Sequence, residues 1–405
     1  MGPHSKKGKW CALVDIGHAK CRLALISPSF DELRLFEVPT QGISRGKVSS
    51  HNEFTATLQN LVAKSGLDKL NNYAILNIPF TQTRTVVQSV THRLGGVYRS
   101  NDYESILECA SDSLFGGLDE VVDTFVPQFK IDGQSVDPFT FGLPGREISA
   151  QLLMATHPSV LLADFLTCVN SAGIEVAEFR SNGFGVARAL QSLRSASENS
   201  VLVDFGHASI TGAIMVGGLI NQTFCIPAGS SHITKDLAAG LGLDLNTAEE
   251  LKIKHGILES PHALAEGPGK LGRFSLPRVS ELLSLSFKNF SMYHRSLDGG
   301  LLFCGAGSSL LGLPAYTSSK FNVKTPFVAQ LTSAGARTFV GLAQAGELSA
   351  SEQASQAVKI DSGWISLLAQ ARSTLIYRRA LLEEKDSRPL SRLRPLWTWL
   401  SELSR

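Results

Sequence analysis

The six cysteines of this chain form no pair. Cys11, Cys21, Cys109, Cys168, Cys225 and Cys304 stand singly, with no CxxC spacing and no histidine at metal-ligand spacing. That excludes a zinc ribbon or a disulfide-stapled scaffold and suits a reducing cytoplasm. Charge of one sign is equally scarce, because 38 basic residues against 36 acidic ones leave a formal net charge of +2. A protein built to hold nucleic acid needs a dense basic surface to displace counterions, so no nucleic-acid partner is expected. No uninterrupted apolar run approaches the roughly 18–20 residues of a spanning helix, and the basic start Met1 to Lys9 is followed by no signal-peptide core. The expectation is a chain that neither spans a membrane nor leaves the cell through a cleaved signal. With 43% hydrophobic and 18% charged residues most of the length folds, and 405 residues exceed what one core serves, so two domains are expected.

What is present in quantity is glycine at the ends of apolar strands. Trp10-Cys-Ala-Leu-Val-Asp15-Ile-Gly17-His18-Ala-Lys20 runs into the apolar stretch Cys21 to Ile26, and reads as strand, tight turn, strand. The pattern returns at Ser200-Val-Leu-Val-Asp204-Phe-Gly206-His207-Ala-Ser209-Ile-Thr211. Glycine lets such a turn bring backbone N–H groups against an anion, and an aspartate at the strand end can hold a cation through water. One Asp-x-Gly hairpin is more often structural than functional, whereas two facing copies would clamp a nucleotide triphosphate and its Mg²⁺. A third segment, Gly300-Leu-Leu-Phe-Cys304-Gly305-Ala-Gly307-Ser308-Ser309, is again a buried strand entering a small-residue turn, with Ser308 or Ser309 as a candidate helix cap.

Together the three segments resemble the phosphate 1, phosphate 2 and adenosine motifs of the actin, sugar-kinase and Hsp70 superfamily, and further stretches narrow the resemblance to the FtsA family of bacterial cell division. Gln41-Gly-Ile-Ser-Arg-Gly46-Lys-Val is similar to its GI-x-x-G-x-V segment, and Asp132-Gly-Gln-Ser-Val-Asp-Pro138 to a stretch of its inserted subdomain. Ala228-Gly229-Ser-Ser-His232-Ile-Thr234-Lys-Asp236-Leu-Ala238 followed by Ala248-Glu249-Glu-Leu-Lys252-Ile-Lys-His-Gly256 resembles GG-x-x-iT-x-DiA and AE-x-lK-x-x-yG, and Ser333 to Ala343 resembles the crossover helix without its proline. The resemblance implies an α/β actin-like two-domain fold with duplicated ribonuclease-H-like cores, an FtsA-type 1C insertion and a C-terminal amphipathic helix. It implies ATP and Mg²⁺ as cofactors. Asp15 and Asp204 would face the metal; Gly17, His18, Lys20, Gly206, His207, Ser209 and Gly229 would surround the phosphates. Glu249 and Lys252 would approach the ribose or base, and Gly305, Gly307 and Ser308 would flank the nucleoside.

Two departures bear on chemistry. Both Asp-x-Gly turns continue Gly-His-Ala where the family carries hydroxyl residues, and Ala228-Gly229-Ser-Ser stands where two glycines are usual. Two readings of His18 and His207 remain open: their ring N–H groups donate to phosphate, making binding pH-dependent near a pKa of about 6.5, or the backbone N–H groups suffice and the rings are tolerated bulk. No residue presents itself as a general base, and His157, His232 and His294 read as packing or loop positions. Weak or absent ATPase activity is expected.

The resemblance divides the chain into subdomain 1A (9–77, 179–197 and 330–346), 1C (78–178), 2A (198–236 and 300–329) and 2B (237–299), then a linker with a helical stretch (347–386) and a terminal segment (387–405). It makes 1C a contact for other division proteins and 2B the dock for the acidic C-terminal peptide of FtsZ. A basic and apolar stretch from Pro277 to His294, with Leu282, Leu283, Leu285, Phe287 and Phe290 beside Arg278, Lys288 and Arg295, suits such a peptide. At ~100° per residue Leu396, Trp397, Trp399, Leu400 and Leu403 fall on one arc of about 160°, opposite Thr398, Ser401, Glu402 and Arg405. Arg388, Arg392 and Arg394 precede it, each contributing about 1 kcal/mol near anionic lipid. This segment is expected to order on a bilayer, the alternative being a helix docked on the protein or a partner.

The expected function is a nucleotide-binding adaptor that self-associates into actin-like protofilaments and tethers FtsZ filaments to the cytoplasmic face of the bacterial inner membrane at the division site. The rivals are a PilM-like component of a pilus or secretion platform and, further off, an ATP-dependent small-molecule kinase, for which no catalytic aspartate motif is present.

Overall fold

The computed structural model describes residues 9–29, 31–70, 72–114, 118–194, 198–256, 269–329, 331–332 and 359–384. The chain divides into two compact units, Met1–Phe184 with Val340–Gln344 and Gln370–Arg405, and Gly185–Phe339 with Ala345–Ala369.

In the first unit β1 (Trp10–Ile16), β2 (Lys20–Ile26) and β3 (Leu33–Pro39) form an antiparallel meander. β1 and β2 are buried almost throughout, so they read as continuous apolar runs rather than alternating ones. A small hairpin, β4 (Ile43–Ser44) and β5 (Lys47–Val48), leads to α1 (His51–Ser65), which starts at Ser50, whose hydroxyl accepts the Glu53 N–H. It ends at Gly66, whose N–H reaches the Val62 carbonyl. β6 (Asn72–Ile78) returns parallel to β1.

The chain then builds a separate antiparallel sheet from β7 (Arg84–Val97), β8 (Asp119–Ile131), β9 (Gln134–Ser135) and β10 (Pro144–Pro158), in the order β7-β10-β8-β9. One face is covered by α2 (Ser100–Asp112): Tyr103, Ile106 and Ala110 pack against Phe129, Ile131 and the alternate residues Ile148, Ala150, Leu152 and Met154. Next α3 (Ser159–Ser171) lays Phe165 edge-on against Phe54 of α1, and β11 (Val176–Ser181) joins β6 in parallel. The inserted sheet ends at Pro158; of the elements that follow, α3 packs on α1 and β11 extends the first sheet. The connecting helix, expected from Phe179, begins as α4 (Asn182–Leu193) once β11 is complete.

The roots of the inserted sheet meet where the Thr83 hydroxyl and His157 Nδ1 lie 3.2 Å apart. His157 is fully buried, and burial pushes its pKa down from 6.5 to about 4. Its folded pKa lies below its unfolded one, so its contribution to stability is complete above pH 6.5 and is lost as pH falls toward 4. We expect His157→Asn to flatten the loss of stability between those values, which amounts to about 3 kcal/mol at most; urea titrations at pH 7 and 4.5 check this. An unchanged pH slope in the variant would assign the loss to other groups.

The second unit repeats the first plan. β12 (Ser200–Phe205), β13 (Ile210–Val216) and β14 (Leu219–Ile226) form an antiparallel meander. After α5 (Ser230–Leu241), α6 (Leu245–His255) and α7 (Lys270–Lys288), β15 (Gly300–Cys304) lies parallel to β12, followed by α8 (Leu313–Phe321) and β16 (Phe327–Val328). The order β14-β13-β12-β15-β16 matches β3-β2-β1-β6-β11 strand for strand. These are the duplicated ribonuclease-H-like cores. A further pair, β17 (Leu331–Thr332) and β18 (Lys359–Ile360), precedes α9 (Ile365–Glu383).

The turns of α9 from Gln370 onward pack in the first unit. The Tyr377 ring lies 5.9 Å from that of Tyr103 and 5.4 Å from that of Phe139, its hydroxyl donates to Glu104, Arg378 stacks 3.8 Å over Tyr73, and Ser100 N–H donates to Glu384. The helical stretch expected within 347–386 thus packs on the body. The crossover segment 333–343, the linker residues 347–358 and the amphipathic segment 387–405 lie outside the described residues.

Candidate functional site

Each Asp-x-Gly motif sits at the end of the central strand of its sheet. β1 and β2 close on the pair Ile16 and Cys21, β12 and β13 on Phe205 and Ile210, so the intervening loops are Gly17-His18-Ala19-Lys20 and Gly206-His207-Ala208-Ser209. The same loop is built twice.

In the first unit the Asp15 carboxyl is buried at 3% exposure and accepts from Asn77 Nδ2 at 2.7 Å. Burial raises its pKa more than Arg22 and the Asn77 hydrogen bond lower it. Asn77 Oδ1 is itself buried and has no hydrogen-bond partner among the described residues. A carboxylate beside an unpartnered amide oxygen is a set of hard donors that fits hydrated Mg²⁺. Among the described residues no group of three or more His, Cys, Asp or Glu could hold a metal ion, so water and phosphate would supply the remaining ligands. His18 accepts the Gly46 N–H on Nε2 at 2.7 Å, which ties the Gly17–Lys20 loop to the tip of the β4–β5 hairpin. Lys20 is ion-paired to Glu37, which Arg22 Nε also reaches at 3.4 Å.

In the second unit Gly206 N–H donates to the Ser209 carbonyl at 3.0 Å and closes the turn. The start of α5 is pinned on it, since Ser230 N–H donates to the Gly206 carbonyl (3.0 Å) and Ser231 N–H to that of His207 (2.8 Å). Gly229 N–H donates to His232 Nδ1. Burial, then the charge of Lys252, hold the His207 pKa below its ordinary value.

Lys252 is buried at 3% exposure on α6, and its ammonium donates to Glu249 Oε2 (2.6 Å), Thr234 Oγ1 (2.9 Å) and the Ser230 carbonyl (3.2 Å). The i,i+3 pair is therefore enclosed on its lysine side and open to solvent only through Glu249. Burial depresses the lysine pKa against the pull of Glu249. Burial raises that of Glu249, but hydrogen bonds from Lys252 and Thr234 outweigh it and the net direction is down. The Glu249 side chain keeps 33% exposure, so of the two it is the one that can meet a ligand from solvent.

Gly305 follows β15 with φ +83°, and a Cβ there would overlap Asp204 Oδ1. The third glycine turn is thus seated on the second aspartate. Gly307 packs on Phe205, and Ser308 is buried with its hydroxyl donating to the Gly305 carbonyl at 2.7 Å, so it braces the turn rather than capping a helix. Within 277–294, Leu282, Leu283 and Phe290 are core, Phe287 stacks on Phe321, and Arg278 is bound by Asp236 and Glu281, so these residues do not form the basic and apolar face expected of them.

Two contributors lie outside the motifs: Asn77, and Ser362, whose hydroxyl donates to the Gly305 carbonyl at 2.8 Å. Asn77 carried one usable signal, a polar residue near the end of an apolar strand; Ser362 carried none.

The family model described as cell division protein FtsA matches residues 201–342. Those residues hold the second and third glycine turns and the segment from Ala228 to Gly256. Among relatives, the cell division protein FtsA of Bacillus subtilis (strain 168) is 23% identical over 257 residues, 60% of this chain and 57% of that protein. FtsA of Neisseria meningitidis serogroup B (strain MC58) is 23% identical over 288 residues, covering 68% and 69%. FtsA of Escherichia coli (strain K12) is 22% identical over 259 residues, covering 58% and 62%. The match thus spans less than two thirds of the Bacillus and Escherichia proteins. A solved PilM-PilN type IV pilus biogenesis complex superposes with a TM-score of 0.63 at 14% identity, over 91% of this chain and 98% of that one. The fold is actin-like, and the FtsA resemblance read from the motifs holds. Among the described residues no helix is long and apolar enough to cross a membrane.

Proposed function

We propose that this chain is a cell-division adaptor of FtsA type that binds ATP with Mg²⁺, hydrolyses it slowly or not at all, and assembles into actin-like protofilaments. The observation that carries the reading is the repetition of one Asp-x-Gly-His-Ala loop at the same place in two sheets of the same order, with a third glycine turn seated on Asp204. In this reading Asp15 and Asp204 face the metal, the two loops and Gly229 approach the phosphates, Glu249 the ribose, and Gly305 and Gly307 the nucleoside. Lys252 acts through Glu249 and Ser308 through Gly305. When bound, Mg²⁺ would offset the phosphate charge; His18, locked on Gly46, sets the shape of the first loop.

Subdomain 2B (237–299) would hold the FtsZ C-terminal peptide, 1C would meet other division proteins, and the segment 387–405 would bind the cytoplasmic face of the plasma membrane at the division site. We expect purified protein to bind MgATP with negligible turnover, and to pull down the FtsZ peptide. Rapid steady-state hydrolysis overturns the weak-ATPase part, and absence of peptide binding overturns the FtsA part.

The likeness to PilM is one of fold, and it defines the second reading, a platform protein that captures a short peptide of a membrane partner. Liposome co-sedimentation separates the two. An adaptor loses binding when residues from 387 onward are removed or Trp397 becomes Glu, whereas a platform protein sediments equally with and without them.

A further inference from the structure

We infer that Ser362 is a positioning residue for the nucleotide site of the second unit, holding the Gly305–Ser308 turn from a place far along the chain. The inference rests on the nucleotide-binding reading above. Ser362 is buried at 3% exposure and engages both polar groups of Gly305: its carbonyl accepts the Gly305 N–H at 3.3 Å and its hydroxyl donates to the Gly305 carbonyl at 2.8 Å. Its Oγ also lies 3.1 Å from Ser308 Oγ, and Ser308 reaches the same carbonyl at 2.7 Å. Two hydroxyl protons serve these three contacts, so every allocation of them leaves the Gly305 carbonyl bound by at least one serine.

Gly305 is also the residue, at a positive φ, where a Cβ would overlap the Asp204 carboxylate. Ser362 therefore fixes how the adenosine-motif turn lies over the aspartate proposed to face Mg²⁺. It is itself preorganised. Asp361 accepts the Gly363 N–H on Oδ1 at 2.8 Å and the Trp364 N–H on its carbonyl at 3.0 Å, and Trp364 is buried at 5% exposure. A hydroxyl and a carbonyl set on one glycine peptide define a geometry.

The test uses the full-length chain. Ser362→Ala keeps the carbonyl and the Cβ and removes the hydroxyl. We expect MgATP to bind it about tenfold more weakly than wild type, with Ser362→Thr, which keeps the hydroxyl, recovering most of the loss. Without nucleotide, amide exchange at residues 305–309 should accelerate in Ser362→Ala and not in Ser362→Thr, at unchanged global stability. Faster exchange supports the clasp even if wild-type protein binds no MgATP, a result that would overturn the nucleotide reading alone. Unchanged exchange, or unchanged MgATP affinity in a wild type that binds, overturns the inference.

Discussion

Replacing Gly305 by alanine is expected to destabilise the protein by about 3 kcal/mol and to abolish nucleotide binding. Two costs add. A side chain at a φ of +83° is strained, which costs roughly 1–2 kcal/mol. The new Cβ would also overlap Asp204 Oδ1 and sit 2.8 Å from the Phe205 carbonyl oxygen. That carbonyl is main chain at the end of the central strand β12, and relieving such an overlap costs roughly 1–3 kcal/mol. The aspartate must then leave the place where a cation would meet it, so affinity falls with stability rather than in proportion to it. Chemical denaturation gives the first quantity and MgATP titration below the unfolding midpoint the second. A loss under about 1 kcal/mol with binding retained would mean that the turn relaxes freely and need not rest on Asp204.

The second large effect is expected from Glu249→Gln. Removing one partner of a buried ion pair costs roughly 3–5 kcal/mol, because the other charge stays behind. With the Glu249 side chain at 33% exposure, solvent screens part of that, and about 2 kcal/mol is expected at pH 7. The pH dependence carries the sharper signature. Lys252 has a folded pKa below its ordinary 10.5, so between the two values the unfolded chain binds more protons and stability rises with pH. Without the carboxylate its folded pKa drops further and that window widens downward. Glu249→Gln should therefore gain stability from pH 7 to 9.5 more steeply than wild type, and adding Lys252→Met should remove the slope. Urea titrations at both pH values decide it; parallel slopes in wild type and variant would show that Glu249 does not hold the lysine charged. In the wild type the opposite limb belongs to Glu249, whose lowered pKa gives stability present above its unfolded value and lost as pH falls through the folded one.

What could be read from the sequence was whatever the chain compresses into a few consecutive residues. The Asp-x-Gly loops announce themselves because strand, turn and ligand lie within a dozen positions, and the duplicated sheets follow from them. The contacts that dress those loops join distant parts of the chain. Nothing local announces that Lys20 pairs with Glu37, or that His18 takes the Gly46 N–H on Nε2 and so leaves Nδ1 as its donor. Arg278 and its apolar neighbours formed a plausible docking stripe because a helix pattern does not say which face a neighbouring element will cover. Ser362 lies 57 residues beyond the glycine it holds, in a stretch whose composition suggests a linker.

The way the inserted sheet is rooted has an evolutionary consequence. Its entry strand β7 and exit strand β10 are hydrogen-bonded neighbours from the first residue, Arg84 opposite Thr156, so the chain leaves the first sheet and returns to it at almost the same point. Whatever lies between contributes no net displacement to β6 or α3. The module can therefore be lengthened, shortened or redecorated while the strand registers that carry Asp15 and Asn77 stay as they are.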